Sequence, residues 1–461
     1  MKEKLKTIYV CTNCGETSIR WMGRCLSCGE WNTLVEDVVK EPSKNKVSAG
    51  AARAATTTTS LVATRLKDVS ASDAESRIVT GIGELDRVLG GGIVIGSVVL
   101  LGGEPGAGKS TLLLQICAQI QDKVDVLYIT GEESLRQIKL RALRLKVSGD
   151  SIHLAAENDI EEICGLIQAT KPGLVVIDSI QTMNCAELSS STGSVSQVKE
   201  CTARLIEVGK RLEIPILIVG HVNKDGAIAG PKVMEHLVDT VLYFEGDKML
   251  PYRVLRGAKN RYGSTSEIGM FDMTGSGLTE IVNPSKQLLE GRPLGVSGNC
   301  VACTMEGTRP ILSEIQALVT KTSFGTPRRT CSGFDFNRAN LLFAVLEKRA
   351  GYFLGNLDIY INIVGGLRLD ETACDLAVAL AVISSLLDKP VPDDTLAVGE
   401  IGLGGEIRSV NNLDARIREA ARIGFKHIIV PKPSLAQINV KEYPEIEIIG
   451  VNYIKEAAQV I

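Results

Sequence analysis

Residues 103–110 read Gly103-Glu104-Pro105-Gly106-Ala107-Gly108-Lys109-Ser110, with Thr111 next, and the reading of this stretch settles what the chain is built around. It fits the pattern G-x-x-x-x-G-K-[ST] throughout. The apolar run 97–101 precedes it and the run 111–116, rich in leucine, follows. Buried strand, glycine turn and helix N-terminus, in that order, are the context in which this pattern binds phosphate. Gly103, Gly106 and Gly108 let the backbone curl until successive N–H groups face an anion. In such a loop Lys109 reaches the β- and γ-phosphates and the Ser110 hydroxyl ligates Mg²⁺. The nucleoside triphosphate site therefore takes in Gly103, Glu104, Pro105, Gly106, Ala107, Gly108, Lys109, Ser110 and Thr111.

Downstream, strand and helix patterns alternate. Strands are expected at 124–130, 151–154, 174–178, 215–219 and 240–244, and helices at 133–145, 160–169 and 195–211. That alternation predicts a mostly parallel sheet covered by helices. Leu174-Val-Val-Ile-Asp178 ends in an acid that suits the water shell of Mg²⁺. Ile129-Thr-Gly-Glu-Glu-Ser134 brings two more acids to the same sheet edge, and Glu132 is favoured over Glu133 to orient or activate the attacking water. His221 follows the strand Pro215–Gly220 and is either a γ-phosphate sensor or a histidine donating to a nearby carbonyl. Two glycine-bearing loops, 187–196 and 223–232, are candidates for nucleic-acid contact. The first reads as small, polar and flexible, and the second carries Lys224 and Lys232.

Upstream, Cys11-x2-Cys14 and Cys25-x2-Cys28 form two knuckles, each followed by glycine. Four thiolates so spaced suit a tetrahedral structural Zn²⁺ with no open position. A module this short cannot bury its own core, so the metal must supply folding energy of roughly 10–16 kcal/mol. Trp21 and Trp31, the chain's two tryptophans, are expected to pack beside the metal rather than to stack on bases. Residues 41–75 hold a low-complexity alanine and threonine tract with scattered lysine and arginine, the composition of a tether. Cys300-x2-Cys303 stands alone within a strand pattern and reads as buried small residues.

The stretch 81–92, the phosphate loop, Gly131-Glu-Glu-Ser134 and Lys259-Asn-Arg-Tyr-Gly263 together resemble the bacterial RadA (Sms) family of RecA-like ATPases. The Lys-Asn-Arg-Tyr-Gly string is the most specific of these. The resemblance implies that Lys259 and Arg261 reach the γ-phosphate of a neighbouring subunit, as cations supplied in trans. Lys109, Glu132, Lys259 and Arg261 are then the catalytic set, with Asp178 and His221 joining the loop in holding nucleotide. It also implies ATP and Mg²⁺, a ring of like subunits (a hexamer), single-stranded or branched DNA, and recombinase or replisome partners. A basic turn on a solvated face is the alternative for 259–263.

Beyond residue 286 the pattern is α+β and resembles the proteolytic domain of Lon, through Gly399–Arg408 and His427-Ile-Ile-Val-Pro431. Where the nucleophile's Ser-Ala-Gly is expected the chain has Ala373-Cys-Asp375, and Cys374 is out of register. Where the dyad lysine is expected it has Asn411-Asn-Leu-Asp414. Nucleophilic catalysis needs an oxygen or sulfur with a base in reach, so this domain reads as catalytically degenerate, a scaffold for ring assembly and DNA binding. Lys321, Arg328 and Arg329 are candidate contacts. The expected domains are thus 1–40, 41–75, 76–285 and 286–461.

In 461 residues, 44% are hydrophobic and 23% charged, the proportions of a soluble globular protein. A net charge of −3 excludes a global basic field, so DNA must be gripped by local cations. With no apolar run fit to span a bilayer, and cysteines mostly in apolar stretches, a cytoplasmic location is expected.

Overall fold

The computed structural model describes residues 5–11, 17–26, 29–40, 76–221, 232–246, 252–322 and 325–461. The described residues fall into two compact units. The first takes those up to 246, plus 253–265 and 271–280. The second takes 252, 266–270 and those from 281 onward.

The first unit is organised by nine strands: β1 (Val98–Gly103), β2 (Val126–Thr130), β3 (Ile152–Ala156), β4 (Leu174–Asp178), β5 (Ile216–His221), β6 (Thr240–Glu245), β7 (Tyr252–Asn260), β8 (Ile268–Thr274) and β9 (Gly277–Glu280). Their order is β9-β8-β7-β6-β1-β5-β4-β2-β3. From β6 to β3 every pairing is parallel, and β7 returns antiparallel against β6. The sequence pattern foresaw the parallel part; the antiparallel run β7–β9 extends it. Helices α1 (Lys109–Ile120), α2 (Leu135–Arg144), α3 (Ile160–Thr170) and α4 (Val195–Leu212) connect the strands.

Side chains alternate across a strand, so one apolar run feeds two cores. Val98, Leu100, Leu127, Ile129, Val175, Ile177, Ile216 and Ile218 pack with residues of α3 and α4. Val99, Leu101, Tyr128, Val176, Leu217 and Val219 pack with Leu113, Ile116 and Cys117 of α1. Burying both faces fixes the register, because a one-residue slip would exchange the two cores. Before β1, Asp86 closes the turn at Thr80, accepting from the Thr80 backbone N–H at 2.9 Å and hydroxyl at 2.8 Å.

The second unit carries a seven-stranded sheet of β10 (Asn299–Glu306), β11 (Arg309–Lys321), β12 (Arg329–Ser332), β13 (Leu357–Ile363), β14 (Thr395–Ala397), β15 (His427–Pro431) and β16 (Glu447–Val451), in the order β12-β13-β11-β10-β14-β15-β16. Helices α5 (Phe336–Val345), α6 (Asp375–Leu387) and α7 (Leu413–Ile423) accompany it. Most of α6 is buried. The segment 398–410 holds only a small hairpin, Glu400–Ile401 with Ile407–Arg408. Cys300 and Cys303, three apart on β10, fall on opposite faces of the strand and are both buried. One ion cannot take both, as the lone spacing implied. No helix among the described residues is long and apolar enough to cross a membrane.

Candidate nucleotide site

β1 delivers the phosphate loop at its C-terminal end. Gly103 and Gly108 have φ of 152° and 109°. A Cβ on Gly103 would collide with the Phe244 carbonyl of β6, and one on Gly108 would lie 2.5 Å from Met273 Cε. Glycine is required there by packing as well as by the turn. Lys109 opens α1 and is buried, its Nζ donating to the carbonyls of Gly103 (2.8 Å) and Glu104 (3.0 Å). Burial draws its pKa down to about 8, against the pull of the Asp178 and Glu132 carboxylates. The loop thus places a cation at the N-terminus of α1, where a polyphosphate can be held.

Parallel register sets Asp178 opposite Thr130 and Val176 opposite Tyr128. Asp178 is buried and accepts from the Tyr128 hydroxyl at 2.5 Å and from the side chain of Ser110. Burial raises its pKa above the ordinary carboxylate value, while those two hydrogen bonds oppose the shift. Asp178 and Ser110 together form an oxygen donor set of the kind Mg²⁺ takes.

Glu132 stands at the end of β2, and Gly131 before it has no room for a Cβ beside Thr182 and Asn158. The Ser179 hydroxyl donates to Glu132 Oε1, and His221 Nε2 lies 3.2 Å from the same oxygen. The His221 contact holds the Glu132 carboxyl below its usual pKa, with burial opposing. The His221 ring thus faces a carboxylate, a partner that neither of its two readings named. Glu133 instead pairs with Arg141 at 2.6 Å, beside a capping box formed by Ser134 and Gln137 at the start of α2. Lys109, Ser110, Asp178, Glu132 and His221 are thereby gathered at the C-terminal ends of β1, β4, β2 and β5, where open parallel sheets bind ligands.

Lys259 and Arg261 are not in this group. Val241 pairs with both Lys259 and Leu100, so Lys259 sits three residues, roughly 10 Å of strand, back from the level of Gly103. Its Nζ donates to the carbonyls of Glu235 (2.7 Å) and Val238 (2.9 Å). Arg261 pairs at 3.0 Å with Asp239, a buried acid whose other oxygen accepts from the Val98 N–H at 3.0 Å. Both cations are thus held by groups of their own chain, and Arg261 lies on an exposed turn, its side chain 49% exposed.

Sequence reasoning overlooked Tyr128, Ser179 and Asp239. An unaccompanied tyrosine in the apolar run Val126–Thr130 was the available signal for the first, since a buried hydroxyl needs a partner. The loop 187–196, expected to be flexible, is pinned: the Gln197 amide donates to Cys185 O (3.2 Å) and Ser190 O (3.0 Å), and Glu187 pairs with Arg204 at 2.9 Å. Of the second loop, Lys224 lies outside the described residues and Lys232 begins a short helix.

In the N-terminal module, Cys11 and Cys25 are buried in one small cluster with Leu34, and Gly29 has a φ of 76°. One cysteine of each knuckle is thus brought to the same place, which fits a shared thiolate-bound ion. Cys14 and Cys28 lie outside the described residues. Trp21 and Trp31 do not pack inward as expected; they are 59% and 68% exposed, with Arg24 stacked 5.9 Å from the Trp31 ring. Among the described residues, the cluster they would have joined holds three buried residues, with Tyr9 and Met22 against them.

In the second unit, Cys374 is fully buried and its thiol is pushed well above its ordinary pKa by burial. Asp375 is held by Arg338 and by the Ile401 N–H at 3.1 Å. Asp414 accepts from Tyr443 (2.5 Å) and Arg418 (2.9 Å). Arg416, two residues on, has a fully buried side chain and donates to the Glu371 carboxylate, Cys303 O and Asn411 O. Arg329 bonds Asn340 at 3.1 Å and lies over the Phe343 ring.

Residues 63–227 match a family model described as an AAA domain, residues 9–36 one described as a rubredoxin metal binding domain, and residues 339–434 one described as subunit ChlI of Mg-chelatase. The DNA repair protein RadA of Bacillus subtilis is 49% identical over 98% of both chains. That of Listeria monocytogenes is 50% identical over 99% of this chain and 98% of its own. A solved KaiC-like protein from Pyrococcus horikoshii covers 44% of this chain and 98% of its own at 19% identity with a TM-score of 0.38, too remote to carry weight.

Proposed function

Since the chain belongs to the RadA family, we propose that it is a DNA-dependent ATP hydrolase of DNA repair, working in the cytoplasm as a homo-oligomeric, hexameric ring. Its task would be branch migration or strand unwinding on recombination intermediates, with single-stranded or branched DNA as the track. Recombinase or replisome proteins would load it. The carrying observation is the convergence of Lys109, Ser110, Asp178, Glu132 and His221 on one sheet edge, while the Lys259–Arg261 pair stands away from that edge on the same sheet. A site that, among the described residues, has its lysine, acid and metal ligands but no second cation is one that a neighbour would complete.

In this reading Lys109 and the loop amides hold the β- and γ-phosphates. Ser110 and Asp178 would hold Mg²⁺, which when bound neutralises phosphate charge. Glu132 has one oxygen occupied by Ser179 and His221, so its other oxygen is left to orient the attacking water. His221 connects the same carboxylate to the end of β5. Lys259 and Arg261 of the adjoining copy stabilise charge on the transferred phosphoryl group. Zn²⁺ would be held by Cys11, Cys14, Cys25 and Cys28. The domains would run 1–40, 41–75, 76–285 and 286–461. The last would not be a protease, since Ala373 and Asp414 supply neither nucleophile nor base and Cys374 is sealed in the core.

Assays of the full chain with Mg²⁺, ATP and branched or tailed DNA at low salt test this reading. Expected are DNA-stimulated hydrolysis and ATP-dependent strand displacement, both weakening as salt rises because only local cations release counterions. Stimulated hydrolysis with no strand movement would leave instead an ATP-gated repair scaffold that does not translocate.

A further inference from the structure

One buried polar atom beside the nucleotide site has no role in the scheme above. Tyr128 is fully buried in β2, on the sheet face that packs against α1. It belongs to the apolar cluster that holds Leu113, Ile116, Leu174 and Val176, with Arg141 near enough to act on its hydroxyl. For packing alone phenylalanine would serve, and a hydroxyl stripped of water is unfavourable unless it finds a partner. That partner is Asp178 Oδ2, at 2.5 Å. The register explains the reach. Tyr128 lies opposite Val176 and Asp178 is two residues further on, so both side chains leave the same face and the ring extends along the strand to the carboxylate. Asp178 also receives the side chain of Ser110.

We propose that Tyr128 is a positioning residue for the metal half of the nucleotide site. Its hydroxyl fixes one oxygen of Asp178 and so sets the orientation of the carboxylate beside Ser110, where Mg²⁺ would be held. Without that donor the carboxylate loses the hydrogen bond that fixes its orientation. Tyr128 touches neither phosphate nor metal and should not alter binding of nucleotide that lacks metal. The inference rests on the assignment of Ser110 and Asp178 as the Mg²⁺ side of the site.

The test is binding, not turnover. A fluorescent non-hydrolysable ATP analogue is titrated into the full-length protein at a series of Mg²⁺ concentrations, and with EDTA, for wild type, Tyr128→Phe, Asp178→Asn and the double variant. Tyr128→Phe keeps the ring, and thermal melts report whether the fold is retained. Expected is about a tenfold rise in the Mg²⁺ needed for half-maximal binding, the scale of one hydrogen bond to a charged group. Binding in EDTA should be unchanged, and Tyr128→Phe should add nothing once Asp178→Asn is present. An unchanged Mg²⁺ midpoint in a folded Tyr128→Phe protein overturns the inference, as does an equal loss of binding with and without metal. If wild type itself binds the analogue with no Mg²⁺ dependence, the metal assignment fails and the inference goes with it.

Discussion

The two units treat buried charge in opposite ways. In the first, Lys109 is buried yet bonded only to carbonyls of its own loop, with no carboxylate partner in contact, and its pKa is drawn down to about 8. In the second, Arg416 is buried as completely, but its guanidinium is closed off by Glu371 and two backbone carbonyls. The first arrangement keeps a cation with unspent electrostatic attraction, which is what an anionic ligand can use. The second spends that attraction internally and leaves nothing for a substrate. Each is costly to build, so the difference between them separates a working site from a structural one.

Removing the two cations should therefore give opposite signatures. Lys109→Ala should reduce ATP hydrolysis on the order of a hundredfold or more, measured by phosphate release, while the melting temperature holds or rises, because a strained buried charge has gone. A drop in melting temperature with hydrolysis preserved would mean that Lys109 is a structural cation like Arg416.

How far each site was legible follows from how local its determinants are. The phosphate loop is a contiguous string whose glycines, lysine and serine act on one ligand, so reading it required no tertiary information. Asp178 was legible because it ends an apolar strand. Glu132 and His221 were each visible at strand ends, but their 3.2 Å contact depends on the order of strands in the sheet, which spacing does not encode. Arg416 was missed, although it shares the apolar stripe of α7 with Leu413, Ile417 and Ala420, all buried. An arginine on such a stripe demands a carboxylate partner, and Glu371, 45 residues earlier, offered no local sign. The tryptophans failed for another reason: size suggested burial, and a module of this size has too little interior to receive them.

The next effect in size is on stability. Arg416→Ala should leave the half-buried Glu371 without its cation and empty the space of a buried side chain, destabilising the protein by about 3 kcal/mol. At roughly 2–4 °C per kcal/mol for a unit of this size, that is a fall of about 10 °C, read by scanning calorimetry. Replacing both partners, Arg416→Met with Glu371→Met, should recover much of the loss, since no charge is then stranded. Hydrolysis per folded molecule should stay near wild type in both. If Arg416→Ala melts normally, the buried pair does not have the role assigned to it.

The smallest expected effect bears most directly on whether the second unit has chemistry of its own. Cys374 is the sulfur nearest in sequence to where the Lon resemblance places a nucleophile, but a reactive cysteine must be ionised and reachable. Here burial favours the neutral thiol, and the side chain is fully enclosed. Asp414 stands where the dyad lysine is expected and is occupied by Tyr443 and Arg418, so this position does not supply the dyad's base. Cys374→Ala should therefore change stability by about 1 kcal/mol, the loss of one small buried group, and leave ATP hydrolysis as it was. Peptide or casein turnover should be absent before and after, and the thiol should stay unmodified by iodoacetamide until the protein unfolds. Labelling of Cys374 in the folded protein, or peptide cleavage lost with Cys374→Ala, would show that this unit, like the first, keeps a reactive group in reserve, and the contrast between the two would fall.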